Sequence, residues 1–95
     1  MSNFQNEIHS ILEELEKVLV SKNIDYGNSF DIGMEEWGLA SGGQRIGDKY
    51  NRLKQLVNPD HQVQVNDEAL DDTVLDLAGY AILFYRYLQN KKSEK

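Results

Sequence analysis

The chain has 95 residues, of which 40% are hydrophobic and 27% charged, with a formal net charge of -6 and no cysteine. This length predicts one domain with a limited core that a partner subunit could complete, and the composition is too apolar for a disordered chain. The negative charge disfavours binding to duplex nucleic acid or to anionic membranes, and the lack of cysteine excludes disulfides, thiolate nucleophiles and cysteine-based zinc sites.

The first predicted element is an amphipathic helix from Phe4 to Leu19. Its apolar residues recur at steps of three and four, which places them on one stripe of a helix. They are Phe4, Ile8, Ile11, Leu12, Leu15, Val18 and Leu19. Carboxylates are interspersed with them, so we expect neither a signal peptide nor a membrane span, and a cytoplasmic protein.

The segment 22–43 is predicted to be a long structured loop, because glycines interrupt it repeatedly, with room for one short helical turn near Glu35 and Trp37. They are Gly27, Gly33, Gly38, Gly42 and Gly43. Its first part, "KNIDYGNSF", combines charged, amide and aromatic side chains at one expected turn. Gly27 would let the chain turn sharply.

Four residues of this turn are candidate ligand-binding residues: Asp25, Tyr26, Asn28 and Phe30. Asp25 and Asn28 can stabilise the turn or contribute polar groups to a binding site. The two rings, like Trp37 further on, can either stack on a base or fill the core.

A second helix is predicted from about Gln44 to Val57, and Pro59 ends it by disfavouring the helical conformation of the preceding residue. Its polar face is unusually basic for an acidic protein and carries Arg45, Asp48, Lys49 and Arg52. Basic side chains there can bind phosphate. The alternative is a solvated face that pairs with carboxylates of the last helix.

"HQVQV" at 61–65 predicts a short extended piece, and Asn66 is a plausible N-cap. The last helix is predicted from about Asp67 to Gln89, followed by a frayed tail at 90–95. It is apolar on more than one face, which indicates coverage by its own bundle and by a second chain. We therefore expect a single all-α domain, 1–95, with three main helices, a long loop and a homo-oligomeric state.

Asp72, Asp76 and Tyr80 line one stripe of the last helix at steps of four residues. Two carboxylates at this spacing repel each other unless a positive group lies between them. That group can be Mg²⁺, a ligand or a basic side chain. A structural ion pair is the alternative to a functional site.

Three strings, "KNIDYGNSF", "RIGDKYNRL" and "DDTVLDLAGYAIL", together resemble the phage and bacterial family called nucleotide modification associated domain 1. The resemblance extends from Lys22 to Leu83, which is most of the chain. It implies an all-helical protein of phage type that binds or acts on nucleotides.

A weaker similarity is to MazG-like all-α nucleoside triphosphate pyrophosphohydrolases. These hold Mg²⁺ with carboxylates from facing helices. The similarity implies that Asp72 and Asp76 bind the metal and that Glu13 and Glu16 form the first carboxylate pair. Thr73 stands where that pattern has a glutamate, which weighs against catalysis more than against nucleotide binding.

The first hypothesis is therefore a nucleotide-binding protein that is a Mg²⁺-dependent pyrophosphohydrolase if it is an enzyme. Its predicted catalytic and metal-binding residues are Asp48, Asp72, Asp76 and Glu16, and its predicted phosphate and pocket residues are Arg45, Lys49, Arg52 and Tyr80 together with the turn residues. The second hypothesis is a non-catalytic sponge that sequesters a nucleotide signal of host immunity. The third is a structural or adaptor bundle.

Overall fold

The computed structural model describes residues 2–26, 28–60 and 67–94, and within these ranges the chain forms helices and no strands. The helices are α1 (Asn3–Tyr26), α2 (Ser29–Trp37), α3 (Leu39–Val57) and α4 (Asp67–Ser93). The predicted all-α class is confirmed. The expected turn at Gly27, the extended piece at 61–65 and the N-cap Asn66 lie outside the described residues.

The segment that was predicted to be a long loop is largely helical. Helix α1 continues to Tyr26, α2 occupies the middle of the segment, and α3 begins at Leu39. The prediction was wrong because it gave the glycines too much weight: one glycine inside a helix costs only about 1 kcal/mol. Burial of Phe30 and Met34, which are 5% and 2% exposed, offsets that cost, since each large apolar side chain contributes about 1.5–3 kcal/mol.

Gly38 separates α2 from α3. Its φ of 78° lies in the left-handed region, which glycine adopts without steric cost. Its N–H donates to the carbonyl oxygen of Met34 at 2.9 Å and so closes the last turn of α2. At the other end of α3, Asn58 is extended as expected before Pro59.

Helices α2 and α3 both pack on α4. The core between α2 and α4 contains Phe30, Met34 and Tyr87, with Tyr80, Leu83 and Phe84 packed against it. Helix α3 makes the most extensive contact with α4. The predicted association of the basic helix with the last helix is confirmed.

Helix α1 approaches α4 most closely in its second half. Leu15 is buried there, and a Cβ on Gly79 would lie 3.2 Å from a methyl carbon of Leu19, so the two helices approach closely at this glycine. Towards its N-terminus α1 extends away from the bundle and leaves Phe4 and Ile11 exposed. Helix α4 continues to Ser93, through most of the predicted tail.

None of the helices in the described ranges combines the length and the apolar character that crossing a membrane requires.

Candidate anion-binding cleft

A cleft of about 230 Å³ lies where α1, α3 and α4 meet, with the first turn of α2 at one end. We call it the lysine cleft. Its walls are formed by Leu15, Val18, Leu19, Lys22, Asn23, Ser29, Phe30, Arg45, Lys49, Leu75, Asp76, Gly79, Tyr80 and Leu83. More than half of these residues are apolar, and the charged side chains of Lys22 and Lys49 meet at Asp76.

Asp76 is the centre of the charged side. Its Oδ1 accepts a hydrogen bond from the ammonium of Lys22 on α1 at 3.1 Å, and its Oδ2 lies 3.1 Å from the ammonium of Lys49 on α3. One carboxylate on α4 thus connects two other helices. Each ammonium has three donors and gives one to Asp76, so both lysines keep donors for a further acceptor.

The environment of Asp76 also changes its acidity. Partial burial raises the pKa of Asp76, but the hydrogen bonds and charges of Lys22 and Lys49 outweigh that effect, and its pKa lies below the ordinary value of 3.8. The carboxylate is therefore ionised at neutral pH and holds the two ammonium groups close together.

Arg45 lies beside this cluster, above two aromatic rings. Its guanidinium carbon is 5.8 Å from the ring centroid of Phe30 and 5.9 Å from that of Tyr80, which is cation–π distance. The rings are stacked at 6.3 Å with an interplanar angle of 23°. Within the described part of the chain Arg45 makes no hydrogen bond or ion pair, so its donors are free for a ligand.

The lysine cleft is positive in an otherwise negative protein. Three basic groups against one carboxylate leave a net charge of +2 on its walls, whereas the chain carries -6. A small anion would be repelled by most of the surface and attracted here.

Five of the predicted site residues meet at this cleft: Phe30, Arg45, Lys49, Asp76 and Tyr80. They come from α2, α3 and α4, and no two helices alone would bring them together. The proposed grouping of a basic α3 face with an α4 carboxylate is thus present in the geometry, as the Lys49–Asp76 pair.

The remaining predicted residues lie elsewhere. Asp25, Asn28, Asp48, Arg52 and Asp72 are exposed and do not line the cleft. Asn28 has a left-handed backbone conformation, with φ 63°, just before α2, so its clearest role is in the turn. Tyr26 ends α1, and its side chain lies outside the described part.

Glu16 faces a different groove, on the other flank of α1. In the described ranges no three or more carboxylate, histidine or cysteine side chains are grouped so that they could share a metal ion. Both oxygens of Asp76 are already paired with lysines, and Thr73, at the position where the MazG pattern has glutamate, is 3% exposed. These side chains do not fit a protein-held Mg²⁺ site, which requires several free oxygen ligands.

Sequence reasoning missed Lys22. It follows Leu19 by three residues and Val18 by four, so it continues the apolar stripe of α1, and a lysine at such a position was the available signal. The signal was lost because α1 was predicted to end at Leu19. Asn23, which adds an amide to the cleft, was missed for the same reason, and Ser29, which adds a hydroxyl, was missed because α2 was predicted to be part of a loop.

The family model described as nucleotide modification associated domain 1 matches residues 22–85, which include every charged residue of the lysine cleft. Comparisons with curated proteins and with solved structures gave no match.

Proposed function

The chain belongs to the nucleotide modification associated domain 1 family, and from that premise we propose that its lysine cleft binds the phosphate of a nucleotide and holds the nucleotide without hydrolysing it. The observation that carries the proposal is Arg45: a guanidinium with no acceptor among the described residues, above two stacked rings and beside two lysines. Phosphate oxygens are the acceptors that arginine and lysine donors suit best.

The phosphate would lie between the three basic groups. Arg45 offers a planar fork of donors, and Lys22 and Lys49 offer the donors that Asp76 leaves free. The apolar walls and the edge of Tyr80 can contact the base, while Asn23 and Ser29 supply polar groups for its edge.

The state of the carboxylates supports retention of the nucleotide over hydrolysis. Asp76 is engaged by two lysines, Asp72 is solvent-exposed one turn away, and Glu16 lies on the opposite flank of α1. A Mg²⁺-dependent pyrophosphohydrolase would need such groups to converge on a metal and a water. A phage sponge for a nucleotide signal of host immunity needs only the basic and aromatic groups.

The experiment is a thermal-shift screen of the purified chain against nucleoside mono-, di- and triphosphates and cyclic dinucleotides, with and without Mg²⁺. A bound ligand raises the melting temperature in proportion to the logarithm of its concentration above Kd. The nucleotide released by heating the complex should be recovered unaltered.

Matched variants on α3 locate the site. Arg45→Gln and Lys49→Gln should each weaken binding at least tenfold, whereas Arg52→Gln, the same charge change on an exposed residue of the same helix, should leave Kd within about twofold. Equal losses of affinity in all three variants would indicate that the basic residues attract the nucleotide at long range and do not contact it in the cleft. The absence of a melting shift with any nucleotide would end the proposal. Release of diphosphate would make the protein an enzyme.

A further inference from the structure

The chain exposes much more surface than a folded monomer of its size. A monomer of 10.9 kDa exposes roughly 5,600 Å², whereas this chain exposes 7377 Å². Its radius of gyration is 15.5 Å, against about 12 Å for a compact chain of this length. The excess of roughly 1,800 Å² per chain, or about 3,600 Å² over two copies, lies in the range of total area that obligate homodimer interfaces bury.

Six of the exposed large hydrophobic side chains in the described ranges lie on α1. Its first three turns carry an N-terminal ridge made of Phe4, Ile8 and Ile11, which are 71%, 41% and 53% exposed. These residues share a stripe with Leu15, which α4 buries, but they lie beyond the point where α4 covers the helix. The ridge is therefore the part of an apolar stripe that no other described residue of its own chain covers.

A groove of complementary character lies on the other flank of α1. We call it the α1–α4 groove; it has a volume of about 430 Å³, and its apolar walls are Leu12, Val20, Ile24 and Ile82. All four of these side chains are more than 40% exposed. The groove spans about 18 Å along α1 and the ridge about 11 Å, so the ridge fits within the length of the groove.

We propose that two copies of this chain pair with their α1 helices antiparallel, so that the N-terminal ridge of each copy fills the α1–α4 groove of the other. Because ridge and groove are successive parts of one helix, a two-fold axis near the middle of α1 places both ridges on both grooves at once.

The pairing also bears on the lysine cleft. Leu15, Leu19 and Asn23 line the cleft and the groove alike, so the partner's ridge would support the back of the α1 wall that carries Lys22. The dimer itself requires no nucleotide, and its test can be read without one.

The first test is the mass of the protein in solution by light scattering or sedimentation equilibrium at tens of micromolar. The chain should run at about 22 kDa, twice its 10.9 kDa. Ile11→Glu should give the monomer mass, because it places a charge inside the interface. Val57→Glu is the matched control: Val57, on α3, is 57% exposed and Ile11 53%, and this variant should remain dimeric.

A second variant covers the case in which Ile11→Glu does not fold. Phe4 is 71% exposed in the first turn of α1, so Phe4→Glu should leave the fold of the chain intact. Because it places a charge at the end of the ridge, it should also give the monomer mass.

A monomeric wild-type chain, or a dimer that survives either Ile11→Glu or Phe4→Glu, would overturn the proposal. Dissociation by Val57→Glu alone would do so too, since it would move the interface to α3.

Discussion

Lys49 and Asp76 join α3 to α4 at the lysine cleft, with the lysine ammonium 3.1 Å from Oδ2 of the carboxylate. Both side chains are only about a quarter exposed, at 28% and 27%. The pair therefore serves the fold, because it connects two helices, and also shapes the cleft, because it fixes an ammonium at the wall.

Asp76→Asn should strengthen anion binding while it weakens the fold. It removes the one negative charge on the cleft walls, so we expect Kd for a nucleotide to fall severalfold. The free energy of unfolding should fall by about 1 kcal/mol, because two partly exposed ion pairs are lost. Titration calorimetry and urea denaturation measure the two effects.

Asp72→Asn is the control for that variant, since Asp72 lies one turn away, exposed and outside the cleft. Asp72→Asn should change the Kd for a nucleotide and the free energy of unfolding less than Asp76→Asn does. A loss of nucleotide affinity in Asp76→Asn would instead indicate that the carboxylate holds the ligand or a metal.

Acid should remove the contribution of Asp76 to stability. Its pKa in the folded chain lies below the ordinary 3.8, so its stabilising effect is present above the ordinary value and is lost as the pH falls through the folded value. The difference in free energy of unfolding between wild type and Asp76→Asn should be constant near neutral pH and shrink below about pH 4. Denaturation curves between neutral pH and about pH 3 measure it, and a difference that does not change over this range would contradict the prediction.

Gly42→Ala should destabilise the contact between α3 and α4. A Cβ at this position would lie 2.6 Å from the ring of Phe84 and 2.9 Å from the sulfur of Met34, so the core would have to shift. We expect a loss of about 1–3 kcal/mol, typical of overpacking, measured by thermal or urea unfolding.

Gly43→Ala is the matched control, because nothing lies within 4 Å of a Cβ there. It should stabilise α3 by up to about 1 kcal/mol through helix propensity alone. Opposite signs for two adjacent glycines would confirm the close approach of the helices at Gly42, and equal signs would refute it.

Tyr87→Phe should weaken the attachment of α2 to α4. The Tyr87 hydroxyl donates to Oε2 of Glu35 at 3.0 Å, and Lys91 pairs with the other oxygen of Glu35. Hydrogen bonds from Lys91 and Tyr87 lower the pKa of Glu35, so the acceptor is charged at neutral pH. Removing the donor should lower the free energy of unfolding, because Oε2 of Glu35 loses a hydrogen bond that the folded chain supplies.

Tyr85→Phe provides the comparison. Tyr85 is 65% exposed on the same helix, and its variant should stay within about 0.5 kcal/mol of wild type. If both variants behave alike, the bond to Glu35 contributes nothing measurable.

The sequence by itself determined the helical class, the apolar stripe of α1 and the end of α3 before Pro59, because each depends on the spacing or type of nearby residues. It also indicated that a basic stretch and an acidic stripe would meet. The family followed from three short strings, and a family model matches nearly the same residues.

Tertiary structure decided which members of each stripe form a site. Asp72 and Asp76 share one helix face, yet α1 approaches α4 at Gly79, so Lys22 reaches Asp76 and leaves Asp72 in solvent. Arg45 and Lys49 enter the lysine cleft, while Arg52 stays exposed. Periodicity fixes the direction in which a side chain points from its own helix, but the position at which another helix covers that face depends on packing between residues far apart in the chain.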